Sequence, residues 1–172
     1  MATATMYPDG DGTVSGTIGG TPGPPPYYAN IDEGTGSPND SDSIWLSSNP
    51  AYIIVTLTST PSDCDTVTAA EISIRTSNDS KGRTVASAQI FESDETTALT
   101  SSATITGTTT PTTYSLNPSI TGATTKTAWD GARLKINSGG SSGFAAIYAV
   151  QVNITYTTSS GTVQTASFMI GT

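Results

Sequence analysis

Alternation with a period of two runs through most of the chain after residue 31. Ile72 and Ile74 fall on one side of their segment, and Ser73 and Arg75 on the other. That is the pattern of a strand with one buried face. Leu134 and Ile136 alternate with Arg133 and Lys135 in the same way. Tyr52–Thr58 is β-branched and nearly continuous, which predicts a strand covered on both faces. Ser43–Ser47 sets Ile44 and Leu46 against Trp45, so either the aliphatic pair or the indole faces outward unless both faces are covered. Further strands are expected over 66–76, 84–91, 99–105, 112–116, 144–156 and 162–170. In the segment 144–156, Tyr148, Val150, Val152, Ile154 and Tyr156 share one inward face unless a bulge intervenes. Turn-forming clusters at 78–82, 92–95, 138–143 and 159–161 separate these runs. About nine strands at this spacing, with helix confined to one turn near 125–131, predict an all-β protein. The expected architecture is an antiparallel two-sheet β-sandwich, a jelly roll, over 31–172, with 157–172 as a closing hairpin strand and a candidate assembly element.

Residues 1–30 depart from that pattern. They hold Pro8 and the run 22–26 with four prolines, which favours polyproline II and cannot sit inside a sheet. The segment reads as an extended N-terminal arm, either a disordered tail or an arm that lies along a neighbouring subunit or scaffold. Tyr7, Val14, Ile18, Tyr27 and Tyr28 are its expected apolar anchors.

Composition narrows the function classes. The chain has 172 residues, no histidine, one cysteine and a formal net charge of −8. Mechanisms that need imidazole are absent, as are a cysteine-based zinc site and an internal disulfide. Six basic residues against fourteen acids cannot form the cationic footprint that holds nucleic acid. No apolar run approaches the ~20 residues that cross a bilayer, and no secretory leader is visible. Synthesis in the cytoplasm and no membrane partner are expected. Abundant threonine suits strands through its branched Cβ and wets the outer face through its hydroxyl.

Few residues offer chemistry. Asp32, Glu33, Asp40 and Asp42 crowd a loop before a strand, a spacing that could collect around Ca²⁺ or form a solvated acidic loop. No other cofactor is expected. Glu71, Glu92, Asp94 and Glu95 are the carboxylates that could in principle act on a glycosidic bond, but the last three share an exposed turn that supplies no proton donor. Trp129 reads as core, and Cys64, between Asp63 and Asp65, as inert. Trp45 is the residue that would mark a ligand or interface patch if exposed, because aromatic faces stack on sugar rings.

Several motifs carry a family resemblance across roughly 1–156: the N-terminal Tyr7–Thr13, then Ile31–Glu33, Asp40–Ile44, Trp129–Ile136 and Val150–Tyr156. In this order they resemble the jelly-roll structural proteins of tailed bacteriophages, which include capsid decoration, head-fibre and tail-associated proteins. The resemblance implies a non-enzymatic virion protein at the virion surface. Its partner would be the major capsid protein or another virion protein, and it would work as a homo-oligomer. Capsid decoration, with the arm bridging capsomers, is the first expectation. A carbohydrate- or receptor-binding module of a tail or fibre is the second, and a filament or tube subunit assembling by strand addition is the third.

Overall fold

The structure, a computed structural model, describes residues 1–159 apart from Pro22, Pro24, Asn49, Ser80 and Ser141. The closing strand expected over 162–170 lies outside the described residues. Among the described residues eleven strands form in chain order: β1 Ala2–Met6, β2 Pro8–Ser15, β3 Ile18–Thr21, β4 Ser43–Leu46, β5 Tyr52–Leu57, β6 Cys64–Asn78, β7 Thr84–Phe91, β8 Ala103–Thr104, β9 Thr112–Leu116, β10 Arg133–Gly139 and β11 Ala145–Thr158. One helical turn, α1 Lys126–Trp129, and a 3-10 turn over Tyr28–Asn30 complete them. No helix among the described residues is long and apolar enough to cross a membrane.

The strands make two antiparallel sheets, the sandwich that the alternation predicts. One sheet runs β3-β4-β11-β6-β9, with β1 also paired to β11; the other runs β2-β5-β10-β7-β8. β11 is central: β6 flanks it along one side, while β4 and β1 pair with successive parts of the other. Inward side chains from both sheets meet in one core. Ile44, Leu46, Ile72, Ile74, Val150 and Val152 come from the six-stranded sheet, and Ile53, Val55, Ile90, Leu134 and Ile136 from the five-stranded one. Each such side chain contributes on the order of 1.5–3 kcal/mol through burial. Ile54 is also buried, at 2% exposure, on the opposite face of β5. This is the two-sided burial expected of Tyr52–Thr58. Trp129 is fully buried, and its Nε1–H donates to the Ala123 carbonyl at 3.0 Å.

The N-terminal segment is not an arm. β1 pairs with β11 from Ala2↔Tyr156 to Met6↔Val152. β2 pairs with β5, and β3 with β4. Met6 is fully buried in the core. After β3 the chain folds back, and the Asp11 carboxylate accepts the backbone N–H groups of Tyr27 and Tyr28 at 2.8 Å each. Ile18, Tyr27 and Tyr28 pack against the sandwich's own core, while Tyr7 and Val14 remain partly exposed on strands or at their ends. Prolines exclude pairing at 22–26, but the glycines and threonines before them are free to join a sheet edge.

Candidate functional site

The candidate site is the outer face of the six-stranded sheet. Strand alternation turns Ile44 and Leu46 into the core and leaves Trp45 outside at 40% exposure. Gly19, Trp45, Ala146 and Ser77 stand abreast on β3, β4, β11 and β6. The indole Nε1–H donates to Ser43 Oγ at 2.8 Å. That bond fixes the ring's orientation and uses its one polar group, so what remains to offer a partner is the apolar ring face.

Phe144, 43% exposed, stands beside it with ring centroids 5.9 Å apart and planes tilted by 38°. The backbone before it is tightly held. Phe144 N–H donates to Asp79 Oδ2 at 3.0 Å, Asp79 N–H donates to the Phe144 carbonyl at 3.0 Å, and Arg83 Nε donates to the Gly143 carbonyl at 2.9 Å. Gly143 has φ +84°, and a Cβ there would overlap the Asp79 carboxylate. Glycine is therefore required for Asp79 to reach the Phe144 amide.

A bulge in β11 between Ile147 and Ala149 sends Tyr148 outward. Its hydroxyl pairs with Ser77 Oγ at 2.9 Å. Val150, Val152, Ile154 and Tyr156 then form the inward face. The sequence left a bulge near Ala149–Val150 open, and the register shift falls between Ile147 and Ala149.

Farther along the same face, Arg75 grips Asp40 through two hydrogen bonds of 2.6 Å, Nε to Oδ1 and Nη2 to Oδ2. The guanidinium holds the Asp40 carboxyl below its ordinary range, against a smaller opposing effect of burial. Tyr7 follows β1 at 38% exposure. Gly34, at φ +75°, lies close enough to the Tyr7 ring and Gln151 Oε1 that a Cβ would collide with both. Next come Glu71 and Asn153, in register on β6 and β11. Asn153 Nδ2 donates to Glu71 Oε1 at 3.1 Å, and Thr5 Oγ1 donates to Asn153 Oδ1 at 2.9 Å. The small Ala69 opposite Thr155 leaves a depression of about 200 Å³ beside them, lined also by Thr3 and Asn117.

The Ca²⁺ expectation is corrected. Among the described residues no three carboxylate or thiol groups converge as metal ligands. Asp40 is engaged by Arg75, and Asp42 accepts Asn39 Nδ2 at 2.8 Å. Burial pushes the Glu33 carboxyl above its ordinary range, a backbone hydrogen bond opposes this, and the charges of Asp32 and Asp42 add to the rise.

The turn acids are also committed. Asp94 accepts the Thr96 and Thr97 amides and the Thr97 hydroxyl, which hold its carboxyl far below the ordinary range. Glu95 accepts the Thr13 amide at 3.2 Å. Cys64 is buried, and desolvation raises its thiol above the usual value despite nearby Lys126.

The sequence reading isolated Trp45 and Tyr7 but assigned Tyr7 to an arm. It missed Phe144, Tyr148 and the Glu71–Asn153 depression as parts of one face.

No protein-family model and no curated protein matches the sequence. Solved structures resemble it in shape. The enzymatically active domain of tailspike protein 4 from bacteriophage CBA120 is 19% identical, with a TM-score of 0.49 over 90% of this chain and 19% of that one. The CBM36-1 domain of a multidomain xylanase from the hindgut metagenome of Trinervitermes trinervoides is 11% identical, with a TM-score of 0.48 over 92% and 100%. The N-terminal cellulose-binding domain of Cellulomonas fimi β-1,4-glucanase C is 10% identical, with a TM-score of 0.37 over 81% and 94%. This chain thus spans about a fifth of the tailspike chain's length. At these values no function follows from the likeness.

Proposed function

We propose that this chain is a non-catalytic glycan-binding module, the second of the readings its sequence suggested. The observation that carries it is the exposed Trp45–Phe144 pair on the outer face of the six-stranded sheet. Two large apolar rings held at the surface cost solvation free energy unless a partner covers them. Their surroundings are hydroxyl, amide and ion-paired groups, which suit a polyhydroxylated ligand better than an apolar protein surface.

Acid–base work is disfavoured on this face. Asp40 is kept ionised by Arg75, so it cannot serve as the proton donor that Glu71 would need as a partner. The motif resemblance to tailed-phage structural proteins supports a setting on a virion. There, a tail or fibre position fits better than capsid decoration. The bridging arm on which decoration depended is built into the sandwich as β1, β2 and β3.

A glycan array tests the reading. The protein, carrying a fluorescent label, is applied to neutral and anionic glycans, with Trp45→Ala as control. Retention of the wild type on neutral glycans and loss in the variant are expected. No retention on any neutral glycan, or equal retention by both proteins, overturns the reading.

A further inference from the structure

Ala146 faces outward beside Trp45, yet it is 1% exposed and lies outside the hydrophobic core. Side chains of the outer face therefore cover it. Around it stand Trp45 and Ser77, abreast on β4 and β6, and Phe144 and Tyr148, two positions away on either side along the chain. The Tyr148 hydroxyl reaches Ser77 Oγ at 2.9 Å, so its side chain points toward β6. Three aromatic residues thus surround one small one. The Trp45 and Phe144 planes are tilted by 38°, so the two rings cup a ligand rather than offer one flat plane. At the rim, the paired hydroxyls of Tyr148 and Ser77 have a further hydrogen and several lone pairs to share.

This patch is bounded on every side. Across the strands, β3 with Gly19 is the sheet edge, and β9 pairs with β6 no farther than Thr76, one residue short of Ser77. Along the strands, β11 begins at Ala145, just past Phe144. In the other direction the segment 34–40 lies on the sheet. Gly34 sits against the Tyr7 ring, Thr35 N–H donates to Gln151 Oε1 at 3.0 Å, and Asp40 is held by Arg75. Phe144 to Tyr148 spans about 13 Å at ~3.3 Å per residue, room for roughly two or three sugar rings.

Resting on the glycan-binding reading, we infer that the site takes a short neutral epitope of fixed size, about two or three sugar units, and that Tyr148 is its third contact residue. One sugar ring stacks in the angle between Trp45 and Phe144. The next lies toward Tyr148, whose hydroxyl shares a hydrogen bond with a sugar hydroxyl. Further units meet the 34–40 segment in one direction and leave the sheet in the others. They gain no contact and add no affinity. A ligand of this kind is a short branch or terminal repeat displayed on a surface, not a long polysaccharide gripped along its length.

The test is calorimetric titration of a length series, from monosaccharide to hexasaccharide, of the neutral glycan best retained on the array. Wild type, Tyr148→Phe, Asn117→Ala and Trp45→Ala are compared, each with a thermal melt. Wild-type affinity should rise as far as the trisaccharide and then change by less than about twofold. Tyr148→Phe keeps the ring and should lose about fivefold from the disaccharide upward, the worth of one neutral hydrogen bond. Among deoxy analogues of the disaccharide, one should bind wild type and Tyr148→Phe equally, which a merely structural role of Tyr148 would not produce. Asn117 lines the depression beyond the 34–40 segment, so Asn117→Ala should match the wild type at every length, while Trp45→Ala should weaken every length. A wild-type affinity that climbs on to the hexasaccharide, a loss in Asn117→Ala, or wild-type binding by Tyr148→Phe overturns the short-epitope site while the glycan-binding reading stands. Absence of binding at every length overturns the glycan-binding reading itself.

Discussion

Gly19 stands directly across from Trp45 in the β3–β4 pairing, and a Cβ on Gly19 would lie 3.6 Å from Trp45 Cε3. The indole thus leans over a position with no side chain. A methyl group fits at ordinary contact distance, whereas a larger side chain displaces the ring. Gly19→Ala should therefore fold and bind like the wild type. Gly19→Ile should keep its fold but lose glycan affinity, read by melting and by titration on the same samples.

Deleting residues 1–21 should unfold the protein rather than release an arm. The deletion removes three strands and the fully buried Met6, and leaves β4, β5 and β11 with unpaired edges. Circular dichroism of the truncated chain checks this. A cooperative melt near that of the full chain would contradict it.

The two tryptophans should report separately. Trp129 is fully buried and Trp45 is 40% exposed. Trp45→Phe should remove the red-shifted, acrylamide-quenchable emission and leave a blue-shifted remainder. Persistence of strong quenching in that variant would show that Trp129 is accessible.

Gly143→Ala should destabilise the protein by about 1–3 kcal/mol, because it forces a side chain into positive φ against the Asp79 carboxylate. The same change should lower glycan affinity by moving Phe144. Gly36→Ala is the control, since a Cβ there meets nothing within 4 Å, and it should be near neutral in chemical denaturation.

The Asp40–Arg75 pair gives a pH-dependent term. The Asp40 pKa is depressed in the folded state, so its contribution is present above the unfolded value of about 3.9 and is lost as pH falls through the lower folded value. The Asp40 side chain is 43% exposed, which limits the effect to about 1 kcal/mol or less. Asp40→Asn should be less stable than the wild type by that amount at neutral pH. The difference should disappear in strong acid, as read by urea melts across pH.

Much of the sandwich was legible because Ile72/Ile74 and Leu134/Ile136 keep strict alternation, and a half-buried strand leaves that mark. The pairing was not legible. Apart from β3–β4 and β7–β8, successive strands belong to opposite sheets, so no hairpin turn announces which strands are neighbours. The role of residues 2–21 was hidden because glycine-rich edge strands carry little hydrophobic pattern. Trp45 could be singled out from its place between Ile44 and Leu46. Phe144 and Tyr148 could not, since one depends on the Asp79 and Gly143 contacts and the other on a bulge. The depression at Glu71 arises from register across three strands, which a single segment does not encode.

The most direct test of the central claim is a pair of calorimetric titrations, placing the best neutral oligosaccharide from the array against wild type and Trp45→Ala, with thermal melts of both. Trp45 is a surface residue whose removal should leave the core intact. The account predicts at least a tenfold loss of affinity, about 1.4 kcal/mol, with a melting temperature within a few degrees of the wild type. Equal affinity in two equally folded proteins would contradict it.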